Sequence, residues 1–262
     1  MYDHCMSVHG SGSRRAVPET YYSNVLVASF DALGLGDLVL ADDDAQAAMR
    51  ACDNLVGQVL TAQRAHEKPD GKSDYIEMFD SGVHFGDSIY VWGNISQALG
   101  DQIKRMTGLA AAILFRGVWL TVSDKKDAYA PRVGIAAGNL RIRELRVNGK
   151  GCDLHIGSSM VRANAIESNQ NWVGGALPTE LCLQDDPYCM EYMVPTKVDY
   201  QGPALGAVNW VALCLQNRAL YDPTQLTSDL KRHVRKLDNV AAATKWENTR
   251  AFAEYVLEHE NA

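Results

Sequence analysis

The sequence predicts an α+β fold, a mostly antiparallel sheet with helices on it, followed by a helical C-terminal stretch. Three observations predict it. The 262 residues are 47% apolar and 22% charged, which suits a globular chain long enough to bury a sizeable core. Short β-type apolar runs alternate with stretches whose apolar residues recur at three and four. The resulting order, β-α-β-β-α-β, is the split βαβ, ferredoxin-like arrangement.

Each element has its own signal. Asn24 to Phe30 is a short apolar run (Val25, Leu26, Val27, Ala28) ending at Asp31, which suits a buried central strand. After the loop Ala32-Leu33-Gly34-Leu35-Gly36-Asp37, the aspartates 42–44 suit a helix start, where carboxylates cap free N–H groups and complement the dipole. Ala48, Cys52, Leu55, Val56, Val59 and Leu60 then form one apolar helix face. Two β-type runs flank Gly86-Asp87 and read as a hairpin. Asn94 is the expected cap of a helix burying Ile95, Leu99, Ile103, Met106, Ala110 and Ile113. Arg132 to Gly138 reads as a strand, and Leu140 to Arg143 with Asn148-Gly149 as a hairpin arm. Gly157 to Glu167 reads as helix and Trp172 to Leu177 as a short strand. Beyond Asp199 the expectation is helical, with one stripe through Leu226, Leu230, Val234, Leu237 and Ala241 and another through Phe252, Val256 and Leu257. The expected division is a loose tail over 1–20, an α+β domain over 21–180 and a mostly helical extension over 181–262 packed on that domain.

The net charge of −7 argues against nucleic-acid partners, which need a basic surface. No run of about 18 apolar residues predicts a membrane helix, and the N-terminus carries no apolar leader, so the expectation is cytoplasmic. The six cysteines form no Cys-x-x-Cys pair and the seven histidines no His-x-x-x-His pair, so buried free thiols are expected and zinc is not. A glycine is missing from the third position of a dinucleotide fingerprint, where Val39 stands. Arg141, Arg143, Arg146 and Lys150 read as the solvated face of the arm. His84 and His155 suit either a substrate contact or a structural hydrogen bond, Phe30 either stacking or packing, and Tyr21 and Tyr22 packing.

The chemistry concentrates in two carboxylates. In the βαββαβ order the first strand lies antiparallel beside the third, so Asp31 and Asp87 meet at one edge of the sheet. Two carboxylates converging at strand ends suit Mg²⁺ or Mn²⁺, which take oxygen ligands and favour triphosphate substrates. The glycine loop after Asp31 offers backbone N–H groups to phosphates.

Four motifs carry a resemblance. Phe30-Asp31-Ala32-Leu33-Gly34-Leu35 and Phe85-Gly86-Asp87-Ser88 resemble the two metal motifs of class III nucleotidyl cyclases. Arg132-Val133-Gly134-Ile135-Ala136-Ala137-Gly138 is similar to their Arg-x-Gly-Ile-x-x-Gly strand. Ile156-Gly157 through Glu167-Ser168 is similar to their helix that starts at glycine and ends in Leu-Glu-Ser. The resemblance spans Asn24 to Leu177 and implies a ferredoxin-like nucleotidyl cyclase fold. It further implies two Mn²⁺ or Mg²⁺ ions held by Asp31, Asp87 and the Ala32 carbonyl, which activate the ribose 3′-hydroxyl and stabilise the leaving pyrophosphate. Phe30, Ala32, Leu33, Gly34 and Leu35 would lie along the nucleotide. A homodimer with active sites between its subunits is implied as well.

The departures from the family narrow the reading. The two positions that read a purine hold Val83 and Leu154, and neither side chain can hydrogen-bond. The helix positions of the ribose-orienting Asn and the transition-state Arg hold Val161 and Ala165. Arg162 and Asn164 lie next to them and are the candidates to take those catalytic roles. With both metal aspartates and no purine-reading pair, the chain resembles the pyrimidine cyclases of bacterial Pycsar antiphage systems, as do Trp172 to Gly175 and Trp246 to Thr249. That resemblance implies conversion of UTP, or CTP, to the cyclic monophosphate as a second messenger. The alternatives are a catalytically degenerate nucleotide-binding regulatory module and a purine cyclase with an unusual base pocket.

Overall fold

The structure, a computed structural model, describes residues 19–33, 46–65, 79–85, 88–93, 96–125, 128–147, 150–218 and 221–259. The elements are β1 (Glu19–Leu33), α1 (Gln46–Ala65), β2 (Phe79–Phe85), β3 (Ser88–Gly93), α2 (Leu99–Val122), β4 (Ala130–Val147), β5 (Lys150–Ile156), α3 (Ser158–Asn169), β6 (Gly175–Pro178), β7 (Cys189–Met190), β8 (Leu205–Val208), α4 (Val211–Gln216), α5 (Pro223–Val234) and α6 (Val240–His259). One sheet runs β2-β3-β1-β4-β6-β8-β7, and β5 pairs with β4 off that path. Only β4 and β6 are parallel. The first four strands and two helices thus take the expected βαββαβ order, with β1 antiparallel to β3.

β1 is central because it is apolar on both faces. Val25, Leu26, Val27, Ala28 and Phe30 are all fully buried. A register shift between Tyr22 and Val25 is accommodated by Asn24 at φ +58°, a left-handed conformation that asparagine tolerates better than most residues. α2 lies among buried partners along most of its length, including Ile103, Met106, Leu109, Ala110, Ile113, Leu114 and Val118. Its composition meets the length and hydropathy expected of a membrane-crossing helix, which the sequence reading did not anticipate. Its burial identifies it here as the core helix of the sheet.

Gly134 and Gly138 bring α3 onto the sheet. A Cβ on Gly134 would stand 2.0 Å from the Ala163 carbonyl oxygen and 2.5 Å from the Glu167 nitrogen. One on Gly138 would meet Ser159 N at 2.8 Å. The Gly-Ile-x-x-Gly spacing therefore lets two backbones approach without side chains between them. Ser158 and Ser159 lock the contact, since Ser158 Oγ accepts from Asn139 N–H and Ser159 Oγ donates to the Asn139 carbonyl, each at 3.0 Å. Gly134→Ala is expected to destabilise the chain by roughly 2–3 kcal/mol, because backbone rather than a flexible side chain must yield. Chemical denaturation of the variant would check this, and an unchanged midpoint would contradict the close approach.

Several expectations change in detail. β1 begins at Glu19, inside the expected tail, and β4 is one 18-residue strand where two were read. α2 begins at Leu99 with Ala98 as its N-cap, so Asn94 does not cap it. β6 covers Gly175–Pro178 alone, because Trp172 turns instead into an aromatic cluster with Phe252 and Tyr192 at 4.8 and 6.1 Å. Beyond residue 181 the chain is not mostly helical at first: β7 and β8 extend the same sheet before α4 begins. The stripe from Leu226 to Ala241 belongs to two helices, α5 and α6, with Leu237 between them. Residues 34–45, 75–78, 86, 87, 94, 95, 148 and 149, which carry several expected loops and caps, lie outside the described residues, as does most of the tail.

Candidate functional site

The site forms where β1 ends. Asp31 pairs in register with Arg132 of β4 on one side and with Ser88 of β3 on the other. Residues facing each other across a strand pair share a face, so the Arg132 side chain meets the Asp31 carboxylate. Arg132 Nη2 donates to Asp31 Oδ2 at 2.8 Å and forms an ion pair with Glu167 Oε1 of α3 at 2.6 Å. All three side chains are close to buried, at 11%, 12% and 4% exposure for Asp31, Arg132 and Glu167. Glu167 reaches the guanidinium because Gly134 lets α3 settle directly over β4. Two carboxylates share one cation, so the trio carries a formal charge of −1, held in a setting where charge interactions are much stronger than in water. Ser29 lies on the same face two residues before Asp31, and its buried Oγ has no partner among the described residues.

The backbone at this edge is open in the right direction. Val133 N–H donates to the Gly174 carbonyl, so the neighbouring Arg132 turns its backbone groups toward β1 and pairs with Asp31. Alternation then turns the Ala32 carbonyl the other way, toward the β3 side, beyond the last ladder pair at Ser88. Asp31 retains Oδ1 outside its bond to Arg132. A carboxylate oxygen and a backbone carbonyl at one strand end are hard donors of the kind Mg²⁺ and Mn²⁺ select, and these residues fit such an ion. Among the described residues no group of three or more Asp, Glu, His or Cys side chains forms a metal cluster. Asp87, the second expected ligand, lies outside the described residues, as do Gly34 and Leu35. Its chain neighbour Ser88 stands opposite Asp31.

Other expected site residues separate. Phe30 is fully buried in the core on the opposite face from Asp31, so it packs and is not free to stack on a base. Ala32 is 3% exposed, and Leu33 packs against the core. Arg162 and Asn164 occupy different flanks of α3. Arg162 lines a cavity of about 600 Å³ with Ala137, Ala165, Glu180 and Tyr200, while Asn164 lines one of about 260 Å³ with Tyr90, His155, Met160 and Val161. They do not converge within one chain. Leu154 is 45% exposed, and Val161, which lines the smaller cavity, is 67% exposed. The Val83 side chain lies outside the described residues. His155 leans on Trp92, ring centroids 5.1 Å apart, and its buried Nδ1 has no partner among the described residues.

Sequence reasoning named Glu167 only as the end of a helix motif and did not join it to Asp31. Nor did it find Tyr90 as a cavity wall or Lys245, a half-buried lysine of α6 on which burial and then the charges of Arg132, Lys197, Asp31 and Glu167 act. The link between 31, 132 and 167 follows from the β1–β4 register and the glycine contact, neither of which is visible in residue spacing.

No family model matches the sequence, and no curated protein matches it. Solved structures do match the fold. The adenylyl cyclase CyaB from P. aeruginosa aligns at 15% identity and a TM-score of 0.53, over 74% of this chain and 97% of that one. A bacterial light-regulated adenylyl cyclase aligns at 10% identity and TM-score 0.54, over 82% and 99%. The guanylate cyclase domain of RhGC from Catenaria anguillulae, solved with GTP, aligns at 12% identity and TM-score 0.51, over 72% and 96%. The fold is that of the class III nucleotidyl cyclases, ferredoxin-like in topology, with additional helices.

Proposed function

We propose that the protein is a nucleotidyl cyclase, and that its substrate is a pyrimidine triphosphate, UTP or CTP, converted to the 3′,5′-cyclic monophosphate and pyrophosphate. The observation that carries the cyclase reading is Asp31 held by Arg132 and Glu167 at the β1 edge of a fold shared with adenylyl and guanylyl cyclases. The ribose 3′-oxygen attacks the α-phosphorus, the bond to the bridging oxygen of pyrophosphate breaks, and the 3′-hydroxyl proton departs. Two divalent ions at Asp31, Asp87 and the Ala32 carbonyl, when bound, activate the hydroxyl and offset charge on the polyphosphate. The work of this chain is to fix Asp31. Arg132 ties one carboxylate oxygen down and leaves the other at the edge.

The pyrimidine reading rests on the base-reading positions. Leu154 and Val83 cannot discriminate by hydrogen bonding, and polar groups of the described residues line the 260 Å³ cavity: Asn164, His155 and Tyr90. That volume is below the ~300 Å³ lower end for a whole small-molecule site and suits a base with its sugar outside. An amide such as that of Asn164 both donates and accepts, as the edge of a pyrimidine requires. Ile156 and Val161 line this cavity and are exposed, which supports a homodimer whose partner covers them. The antiphage role implied by the sequence resemblance belongs to the same proposal. A purine substrate is the second reading, favoured by the adenylyl and guanylyl cyclases among the matching structures.

Turnover of the four ribonucleoside triphosphates with Mn²⁺, compared as kcat/KM, separates the two readings. UTP or CTP is expected to exceed ATP and GTP at least about tenfold, and Asn164→Ala to lower the pyrimidine value about tenfold through a lost hydrogen bond. ATP or GTP as the best substrate would overturn the pyrimidine assignment and leave the cyclase reading standing.

A further inference from the structure

Two cysteines meet on the last strands of the sheet. Cys182 follows a single 3₁₀ turn, Thr179–Leu181, and its N–H donates to the Thr179 carbonyl at 3.0 Å. Cys189 opens β7 and stands in register with Val208 of β8. Residues paired across strands share a face, and alternation puts Gly206 on that face as well. Cys182 fills the space that Gly206 leaves, since a Cβ on Gly206 would stand 2.4 Å from Cys182 Sγ. The two thiols therefore lie on one face of β7 and β8, a single diagonal step apart, and they hydrogen-bond to each other. Neither is in a disulfide.

The pair divides into an attacking and a resolving partner. Cys182 is half-buried and Cys189 buried, so solvent and small solutes reach Cys182 first. The hydrogen bond from Cys189 holds the Cys182 thiol below its ordinary value, with burial opposing, while the same bond and then burial push Cys189 up. Cys182 is thus the more nucleophilic of the two, with a protonated thiol beside it. The chain between them is tied down. Lys104 Nζ donates to Asp185 Oδ2 and Thr107 Oγ1 to Asp186 Oδ2, each at 2.6 Å, which fastens the segment to α2. Asn209 N–H donates to the Tyr188 carbonyl at 2.9 Å. These bonds hold both sulfurs in place, so they can join without unfolding the segment.

We propose that Cys182 and Cys189 form a reversible disulfide, a redox-sensitive clasp across residues 182–189, with oxidised glutathione as the co-reactant. The Cys182 thiolate attacks one sulfur of the glutathione disulfide, the bond between the two glutathione sulfurs breaks, and one glutathione leaves as its thiolate. Cys189 then attacks Cys182 Sγ, the bond to the second glutathione breaks, and that glutathione takes up the Cys189 proton. The two cysteines are oxidised by two electrons and the glutathione disulfide is reduced by two. β7 is the last strand of the sheet and only Cys189–Met190 in length. The clasp ties this short edge strand to the turn that follows β6. The inference is independent of the cyclase reading.

Peptide mass mapping of the folded full chain tests this, after equilibration with oxidised and reduced glutathione at a series of ratios and quenching by alkylation. The expected product joins the peptides of Cys182 and Cys189 with the loss of two hydrogens, and excess reduced glutathione reverses it. The cross-linked protein should melt roughly 5 °C higher, because closing the loop 182–189 restricts the unfolded chain. Cys189→Ser should trap glutathione on Cys182, and Cys182→Ser should leave Cys189 unmodified. The thermal midpoint of each variant reports whether it folds. In the unmutated protein, a lasting glutathione adduct on Cys182, or no modification of either cysteine, overturns the proposal. A Cys182–Cys189 cross-link that forms only in denaturant, or one that lowers the midpoint, overturns it as well.

Discussion

Asp31→Asn is expected to lower kcat/KM by at least about a hundredfold, while leaving the thermal midpoint within a few degrees of the unmutated protein. Asparagine keeps the size of the side chain and its place opposite Arg132, but removes the negative charge that a divalent ion needs. Arg132 keeps Glu167 at 2.6 Å, so its guanidinium does not become an unpaired buried charge. The fold and the chemistry therefore come apart in this variant. Rates of cyclic nucleotide formation and a melting curve on the same sample check both halves. Turnover near the unmutated value would remove Asp31 from the reaction.

Arg132→Leu reverses that pattern. It leaves two carboxylates, Asp31 at 11% and Glu167 at 4% side-chain exposure, facing each other without a cation. Breaking a buried ion pair by deleting one partner typically costs about 3–5 kcal/mol, because the remaining charge is neither solvated nor paired. In a chain of this size that is a fall in midpoint of roughly 10 °C. Adding Asp31→Asn in the Arg132→Leu background should recover part of the loss, since one of the two unpaired carboxylates becomes neutral. A double-mutant cycle measures the coupling. Strict additivity, with no recovery in the double variant, would mean that the trio does not act as a unit.

How much of this was legible in the sequence depends on the range of the interactions. The Gly134 and Gly138 spacing and the helix start at Gly157 are local patterns with local causes, and they appear in the structure as read, whereas β1 runs two residues past Asp31, to Leu33. The antiparallel meeting of β1 and β3 follows from element order alone, and Asp31 stands opposite Ser88. The hidden part is the support beneath Asp31. Glu167 lies 136 positions from it and reaches the same guanidinium only because a glycine on β4 removes the side chain that would keep α3 away. β7 and β8 escape the pattern because they are two and four residues long, too short for alternation to register. Phe30, open between stacking and packing from the sequence, is decided by the structure: alternation along the strand sends it into the core.

Closure of a nucleotide onto its own 3′-oxygen at Asp31 is the proposed reaction. Mass spectrometry of the products after incubation with UTP and Mn²⁺ tests it, with CTP, ATP and GTP in parallel and Asp31→Asn as the control. The expected products are 3′,5′-cyclic UMP or cyclic CMP together with an equal amount of pyrophosphate, both absent from the control. No cyclic product from any of the four triphosphates, from folded and dimeric protein, would contradict it and leave the chain a nucleotide-binding module on a cyclase fold.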